Sequence, residues 1–219
     1  MDYDFMIKSL PLYGKAILLT LELAIGGILL AFLIGVICSA ILYYRVRILK
    51  TIVSCYIEIA RNTPLLIQLF FLYYGLPKLG IKIEAFTCAI MGLAFLGGGY
   101  MAEALRSGFE SVEKIQIESG ASIGLSQFQV FRYILFPQAL AVAIPAVGAN
   151  IIFLLKETSI VSAIALADLM YVAKDLIGMY YKTTEAFVLL IGAYLLILLP
   201  LSICISKLER RLRYAGFGD

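Results

Sequence analysis

The stretch Glu118–Leu140 reads ESGASIGLSQFQVFRYILFPQAL and lies between two strongly apolar runs. It is too polar to cross a bilayer, yet too regularly punctuated for a casual linker. Gly124 interrupts a helical pattern at a point where a helix end calls for positive φ. Ser126 is followed three residues later by Gln129, the S-x-x-Q signature of a capping box that opens a new helix. Phe128, Phe131 and Leu135 then recur at three- and four-residue spacing, an apolar face that needs covering. Pro137 suits the first turn of an apolar span, where its missing N–H costs nothing. The stretch therefore predicts a short helix carrying Glu113, Lys114 and Glu118, a glycine turn, a second helix and a membrane entry. On these residues alone two explanations stand: a loop folded onto its own bundle, or a helix that docks in the groove of a soluble partner.

The surroundings are those of a membrane protein. Of the 219 residues, 62% are hydrophobic, and the mean hydropathy is +0.96. A soluble domain of this length cannot hide that much apolar surface. A hydrocarbon core of ~30 Å takes about 20 helical residues to cross. Five runs approach that length: Leu23–Tyr44, Asn62–Pro77, Ala85–Ala102, Tyr133–Leu155 and Ala186–Ser206. The second is short, but Thr51–Ile57 extends it with only Glu58 and Arg61 intervening. The expectation is an all-α membrane protein of about five spans, forming a single domain over residues 1–219. The acidic start, MDYDFMIKSLPLYGKAI, is a poor signal peptide and predicts a short interfacial helix before the first span.

Charge sets the predicted orientation. Arg45, Arg47, Lys50, Arg106, Lys114, Arg132, Lys207, Arg210, Arg211 and Arg213 fall on one side of a five-span layout. Lys8, Lys15, Lys78, Lys82, Lys174 and Lys182 fall on the other, with Arg61 and Lys156 within or near spans. Positive residues collect in the cytoplasm, so the N-terminus is predicted outside and the C-terminus inside. The Glu118 stretch is then cytoplasmic.

Several chemistries are excluded. Histidine is absent, which removes His-based triads and HExxH zinc sites. No GxxxxGK[ST] loop occurs, and the only Gly-Lys pair, Gly14–Lys15, runs on into Ala16. Cys38, Cys55, Cys88 and Cys204 are widely spaced in or near apolar runs, as buried small hydrophobes are. Neither a metal site nor nucleic-acid binding is expected.

The opening stretch resembles the EAA loop of bacterial ABC importer permeases, whose pattern is E-A-A, then G, then I-x-L-P. Glu118, Gly124, Ile134 and Pro137 stand at the matching spacings, while Ser119 and Gly120 replace the usual Ala-Ala and Phe136 replaces Leu. EIARNTPLLIQL from Glu58, YMAEALRSGFESV from Tyr100, LLKETSIVSAIALADL from Leu154 and the basic end KLERRLR from Lys207 are similar to polar amino acid permeases of the histidine, glutamine and arginine group. The resemblance covers nearly the whole chain, with its stretches in order. It implies the type I permease fold in a bacterial cytoplasmic membrane, with a coupling loop at about residues 110–137. Glu118, Ser119, Gly120, Gly124 and Pro137 would form the contact with a separate ATP-binding cassette subunit, which hydrolyses the ATP. It also implies a second permease subunit, an extracytoplasmic binding protein and an amino acid as substrate, with no cofactor on this chain.

Charges inside spans are costly and mark functional positions. Glu58 and Arg61, like Glu103 and Arg106, are three apart and share a helix face. Each is expected to form an internal ion pair, or to act in a cytoplasmic gate. Pro64 removes a backbone donor and predicts a kink, with Thr63 and Gln68 lining a cavity beside it. Lys156 and Glu157 follow a long uncharged span, and adjacent helical residues diverge by about 100°. They are either an interfacial pair reaching to water or the inner end of a translocation path, where their opposite charges would match an amino acid zwitterion. The resemblance places this region by the central cavity, with Ser159 and Asn150 as further lining candidates. Gly97–Gly99 either allow close helix packing or mark a flexible point. The amphipathic stretch after Asp168 is a solvated loop or, by resemblance, a surface facing the binding protein.

A stand-alone secondary transporter or channel is the alternative function class. Such carriers often show inverted repeats, and none is evident between the halves. An intramembrane enzyme has no histidine to work with.

Overall fold

A computed structural model describes residues 1–216, with side chains to residue 211; the Arg213 side chain lies outside the described residues. The described residues are helical, without strands. In chain order the helices are α1 (Tyr3–Tyr43), α2 (Arg47–Asn62), α3 (Leu65–Phe70), α4 (Ala85–Ser111), α5 (Lys114–Ser122), α6 (Gln127–Val130), α7 (Phe136–Glu157), α8 (Leu169–Tyr180) and α9 (Thr183–Gly216). Among the described residues four helical segments are long and apolar enough to cross a membrane: Tyr3–Tyr43, Ala85–Ser111, Gln127–Ile164 and Thr183–Arg211. The predicted second span is the shorter apolar helix Leu65–Leu79.

α4 is the centre of the bundle, packed against α1, α2, α3 and α7. Small residues let the helices approach closely where lipid supplies no hydrophobic drive of its own. Gly97–Gly99 show how. A Cβ on Gly97 would meet Ala31 of α1 at 2.7 Å and Leu154 of α7 at 2.5 Å. One on Gly98 would strike Tyr56 Oη and meet Ile34 Cγ2 at 2.6 Å. One on Gly99 would press on Ala60 and Arg61 of α2. Three consecutive glycines thus turn toward three different neighbouring helices, which assigns the run to packing.

The chain begins differently from expectation. The first residues do not form a separate interfacial helix; they are the start of α1, which runs unbroken for 41 residues through Pro11. Packing holds the helix continuous through Pro11. Tyr13 and Ala16 are buried against Leu169, Ala173 and Leu176 of α8 and Ala186 of α9, and Tyr13 Oη donates to the Ala186 carbonyl at 2.7 Å. Asp2 caps the helix by accepting from Phe5 N at 3.0 Å. It also pairs with Lys182 at 3.2 Å, tying the N-terminus to the α8–α9 turn.

Two π turns, Phe71–Gly75 and Phe131–Leu135, interrupt otherwise continuous helices. Each ends two residues before a proline, Pro77 and Pro137, within the shared pattern F-x-Y-x-x-x-P. Proline has no N–H, and its ring crowds the carbonyl four residues back; the wider turn accommodates both. Pro137 does lie in the first turn of α7. It does not open the span, however, because the helix is already running from Gln127.

Asp168 caps α8, accepting from Met170 N at 3.1 Å and Tyr171 N at 3.0 Å. It is fully buried, and burial pushes its carboxyl up to about 6 against those backbone donors and Lys174. A carboxyl raised in the folded state binds its proton more tightly there than in the unfolded chain. Its favourable contribution is therefore complete below about pH 4 and fades as pH rises through about 6. Asp168→Asn keeps a cap acceptor and removes the titration. The expected result, by thermal unfolding of purified protein, is a flatter stability profile between pH 4 and 7. The wild type is expected to lose roughly 3 kcal/mol over that interval relative to the variant.

Candidate functional site: a polar seam and a capped loop

The seam starts where α2 stops. Thr63 precedes Pro64 and is held extended at φ −111°, ψ 125°, as a residue before proline must be. Gln68, one turn into α3, reaches back and donates Nε2 to the Ala60 carbonyl at 3.2 Å and the Thr63 carbonyl at 3.0 Å. The predicted kink is therefore a full break, with the freed carbonyls satisfied by a side chain.

This break leaves Arg61 lying across α4. Its guanidinium sits 5.3 Å from the centre of the Tyr100 ring and 3.7 Å from Glu103 Oε2. Glu103 is held at the same time by Arg106, through Nε at 3.3 Å and Nη2 at 3.2 Å. Arg106 Nη1 continues to Glu110 at 2.7 Å. Asn150 of α7 closes the other side, donating Nδ2 to the Tyr100 carbonyl at 3.2 Å, and Phe153 stacks edge-on against the Tyr100 ring. The predicted Glu103–Arg106 pair forms. The predicted Glu58–Arg61 pair does not: Glu58 accepts from Asn62 Nδ2 at 3.0 Å, and Arg61 turns to a different helix. Gly99 is the reason, since it lets Ala60 and Arg61 lie directly on α4.

The Arg61, Glu103 and Arg106 side chains are 38%, 32% and 35% exposed. Glu103 and Arg106 lie in the C-terminal part of a helix long and apolar enough to cross a membrane, and charged side chains set within hydrocarbon need water or protein beside them.

The remaining predicted path residues divide in two. Lys156 is exposed and Glu157 half-buried at the end of α7, about 9 Å beyond Asn150 along the axis. There the helix tightens into a 3₁₀ segment, Thr158–Ile164, ending at Ala165 with φ 60°. Thr158 Oγ1 donates to the Leu155 carbonyl at 2.7 Å, and Ser159 is half-buried beside it. Thr63 and Gln68 instead line an apolar groove between α1, α2, α3 and α4.

The loop follows its predicted pattern closely. Gly124 has φ 86°. Leu125 N donates to Gly120 O at 3.2 Å and Gly124 N to Ala121 O at 3.0 Å, the paired bonds of a Schellman end. Ser126 accepts from Gln129 N at 3.3 Å while Gln129 Oε1 accepts from Ser126 N at 2.8 Å. Glu118 and Ser119 are exposed and Gly120 is buried, its α-carbon against Ile134, which a Cβ would meet at 2.5 Å. The loop also exposes Ile115, Ile123 and Phe128 at 59%, 78% and 73%, an apolar surface at the end of the bundle where Tyr44 touches Phe131.

Four membrane-length helices, a broken apolar helix and a doubly capped loop define a polytopic membrane subunit of the importer permease fold. A crystal structure of an amino acid ABC transporter with histidines superposes with a TM-score of 0.86 at 34% identity, covering 96% of this chain and 99% of that one. The inward-facing MetNI methionine ABC transporter shares the fold at a TM-score of 0.80 and 19% identity, over 97% and 99% of the two chains. The chain is 36% identical to the probable glutamine ABC transporter permease protein GlnP of Bacillus subtilis (strain 168), over 93% of this chain and 95% of that one. It is 34% identical to the probable amino-acid permease protein YxeN of the same organism, over 95% of both. The family model of the binding-protein-dependent transport system inner membrane component matches residues 15–214, and the chain belongs to that family.

Proposed function

We propose that this chain is the permease subunit of an ATP-driven amino acid importer in a bacterial cytoplasmic membrane. The observation that carries the reading is the charged face of α4, about one third exposed, on a helix long and apolar enough to cross a membrane; set in the bilayer, that face would need water or a partner beside it. A second permease subunit set against that face would enclose an aqueous path lined by Tyr100, Glu103, Arg106, Arg61 and Asn150. Lys156, Glu157 and Ser159 continue the polar surface and offer both signs of charge to a zwitterion. Thr63 and Gln68 serve the path by holding the α2–α3 break that aims Arg61. The Glu103 carboxylate, shared between Arg61 and Arg106, can release one and keep the other, which suits a gate between two states.

In this reading residues 1–219 are one permease domain with its N-terminus outside and its C-terminus in the cytoplasm. The chain carries no ATP site. Glu118, Ser119, Gly120, Gly124 and Pro137 belong to the coupling loop, at about residues 110–137, through which an ATP-binding cassette subunit acts. The exposed Ile115, Ile123 and Phe128 support it, as apolar anchors for a groove in that partner. An extracytoplasmic binding protein would deliver the amino acid at the opposite end, near Asp2, Lys182 and α8.

The test is uptake in proteoliposomes by the complex purified through this chain. Amino acid uptake is expected only with ATP and with the ATPase subunit present; uptake driven by an ion gradient without that subunit would point to a stand-alone carrier. Glu157→Gln is expected to change the preference among cationic, neutral and acidic amino acids by about tenfold, the effect of one partly desolvated charge contact. ATPase copurification should be unchanged. An unaltered preference would return Glu157 to an interfacial role.

A further inference from the structure

The outward face of α1 carries one charge within its long apolar run. Glu22 is the only charged residue between Lys15 and Arg45. It is exposed, and its carboxylate has no ion pair or hydrogen bond among the described residues. Leu18, Ile25, Leu29 and Leu33 share its face and are 58–61% exposed.

The depth of Glu22 follows from the packing of α1 on α4. Gly27 lies against Leu93, Ala31 against Gly97 and Gly35 against Met101, so the two helices run parallel in constant step. The same step carried toward the N-terminus sets Glu22 level with Cys88. That is one turn, about 6 Å, inside Glu84, after which the uncharged run of α4 begins. A carboxylate there stands at the edge of the hydrocarbon, where charged side chains reach for headgroups and water.

Lys15 completes the arrangement. It is exposed, and seven residues turn a helix through about 700°, so it lies within about 20° of Glu22 and about 10 Å farther along the axis. The two form no ion pair with each other. An ammonium and a carboxylate held apart on one helix face, above a bulky apolar stripe, complement a molecule with a phosphate, an ammonium and hydrocarbon tails. A primary ammonium donates hydrogen bonds to a carboxylate, whereas a trimethylammonium has none to donate. A second copy of this stripe fits less well. Helix pairs in membranes meet through small residues, and Gly27, Ala31 and Gly35 of α1 are already set against α4. Two such stripes paired in parallel about a two-fold axis would also bring Glu22 beside its own copy, like charge against like.

We propose that Lys15 and Glu22 clamp the headgroup of a phosphatidylethanolamine-type phospholipid, Lys15 taking the phosphate and Glu22 the ammonium, with the acyl chains along Ile25, Leu29 and Leu33. The test places the complete transporter assembly in phosphatidylcholine nanodiscs. Trace phospholipids carry a diazirine on an acyl chain and an ethanolamine, choline or glycerol headgroup. The ethanolamine lipid is expected to label α1 about 2- to 5-fold more than either of the others, the worth of one exposed ion pair. Glu22→Gln should bring the ethanolamine and choline lipids level. Lys15→Gln should lower labelling by all three, since each carries the phosphate, and decides the matter should Glu22→Gln fail to accumulate. Lys8→Gln, exposed two turns beyond Lys15, should change nothing. Equal labelling by the ethanolamine and choline lipids in the wild type would overturn the proposal, as would a preference that survives Glu22→Gln. So would a photoreactive residue at position 25 that captures another protein chain instead of lipid.

Discussion

Gly98→Val is expected to leave little folded protein in the membrane. Gly98 is buried where α4 meets α1 and α2 together. An added Cβ would press on Tyr56 Oη and crowd Cγ2 and Cβ of Ile34; the tyrosine tip can swing aside, but the β-branched Ile34 cannot yield without moving α1. Tyr56 Oη would also lose its bond to the Phe95 carbonyl, 2.8 Å long. Overpacking of this kind costs about 1–3 kcal/mol, and losing the bond of the half-exposed tyrosine hydroxyl adds about 0.5–1.5 kcal/mol. Their sum is a large part of the stability of an ordinary domain. The check is thermal unfolding of detergent-solubilised protein, with Gly98→Ala as the graded control. A Gly98→Val protein that melts with the wild type would mean that the run Gly97–Gly99 serves something other than close packing.

Gly120→Leu is expected to abolish ATP-driven uptake while the chain still inserts and the bundle still forms. Gly120 is the point at which α5 rests on Ile134, and a leucine there lifts α5 away from the helix that begins at Ser126. The displacement reaches the long helices only at the end of the bundle, where Ile117 packs against Phe109, Leu135 and Ala139. Gly124→Val perturbs the same loop differently. No atom lies within 4 Å of the added Cβ, so only the left-handed φ of 86° is strained, a cost of about 1–2 kcal/mol. Uptake should therefore fall further with Gly120→Leu than with Gly124→Val, although both weaken it. Measured in proteoliposomes, normal uptake by Gly120→Leu would remove the coupling role from this loop.

What could be read in the sequence was mostly what is local. The Schellman end at Gly124 and the capping box at Ser126 and Gln129 involve neighbours within six residues, and both form as their spacing predicts. Glu103 and Arg106 were legible for the same reason. Arg61 was not, because its partner lies on another helix and is reached only where Gly99 permits it. The start of α1 was misjudged because Tyr13 finds its hydrogen bond 173 residues away. Gly97–Gly99 stayed ambiguous because a glycine carries no side chain to declare which neighbour it faces. The two π turns share a local signal, the paired F-x-Y-x-x-x-P pattern.

The helical rod from Gln127 to Glu157, carried through its π turn, has a mechanical consequence. It carries the capped loop at its foot and Asn150 and Lys156 near its top, about 45 Å of rod at 1.5 Å per residue. Such a rod fixes angular phase as well as distance. One residue inserted along it would swing Asn150 about 100° away from the Tyr100 carbonyl, while leaving both the loop and the upper bundle locally intact. The π turn at Phe131–Leu135 already uses up one such step. Length variation in related chains should therefore collect at the hinges around Val112 and Leu166, and be missing between Ser126 and Glu157.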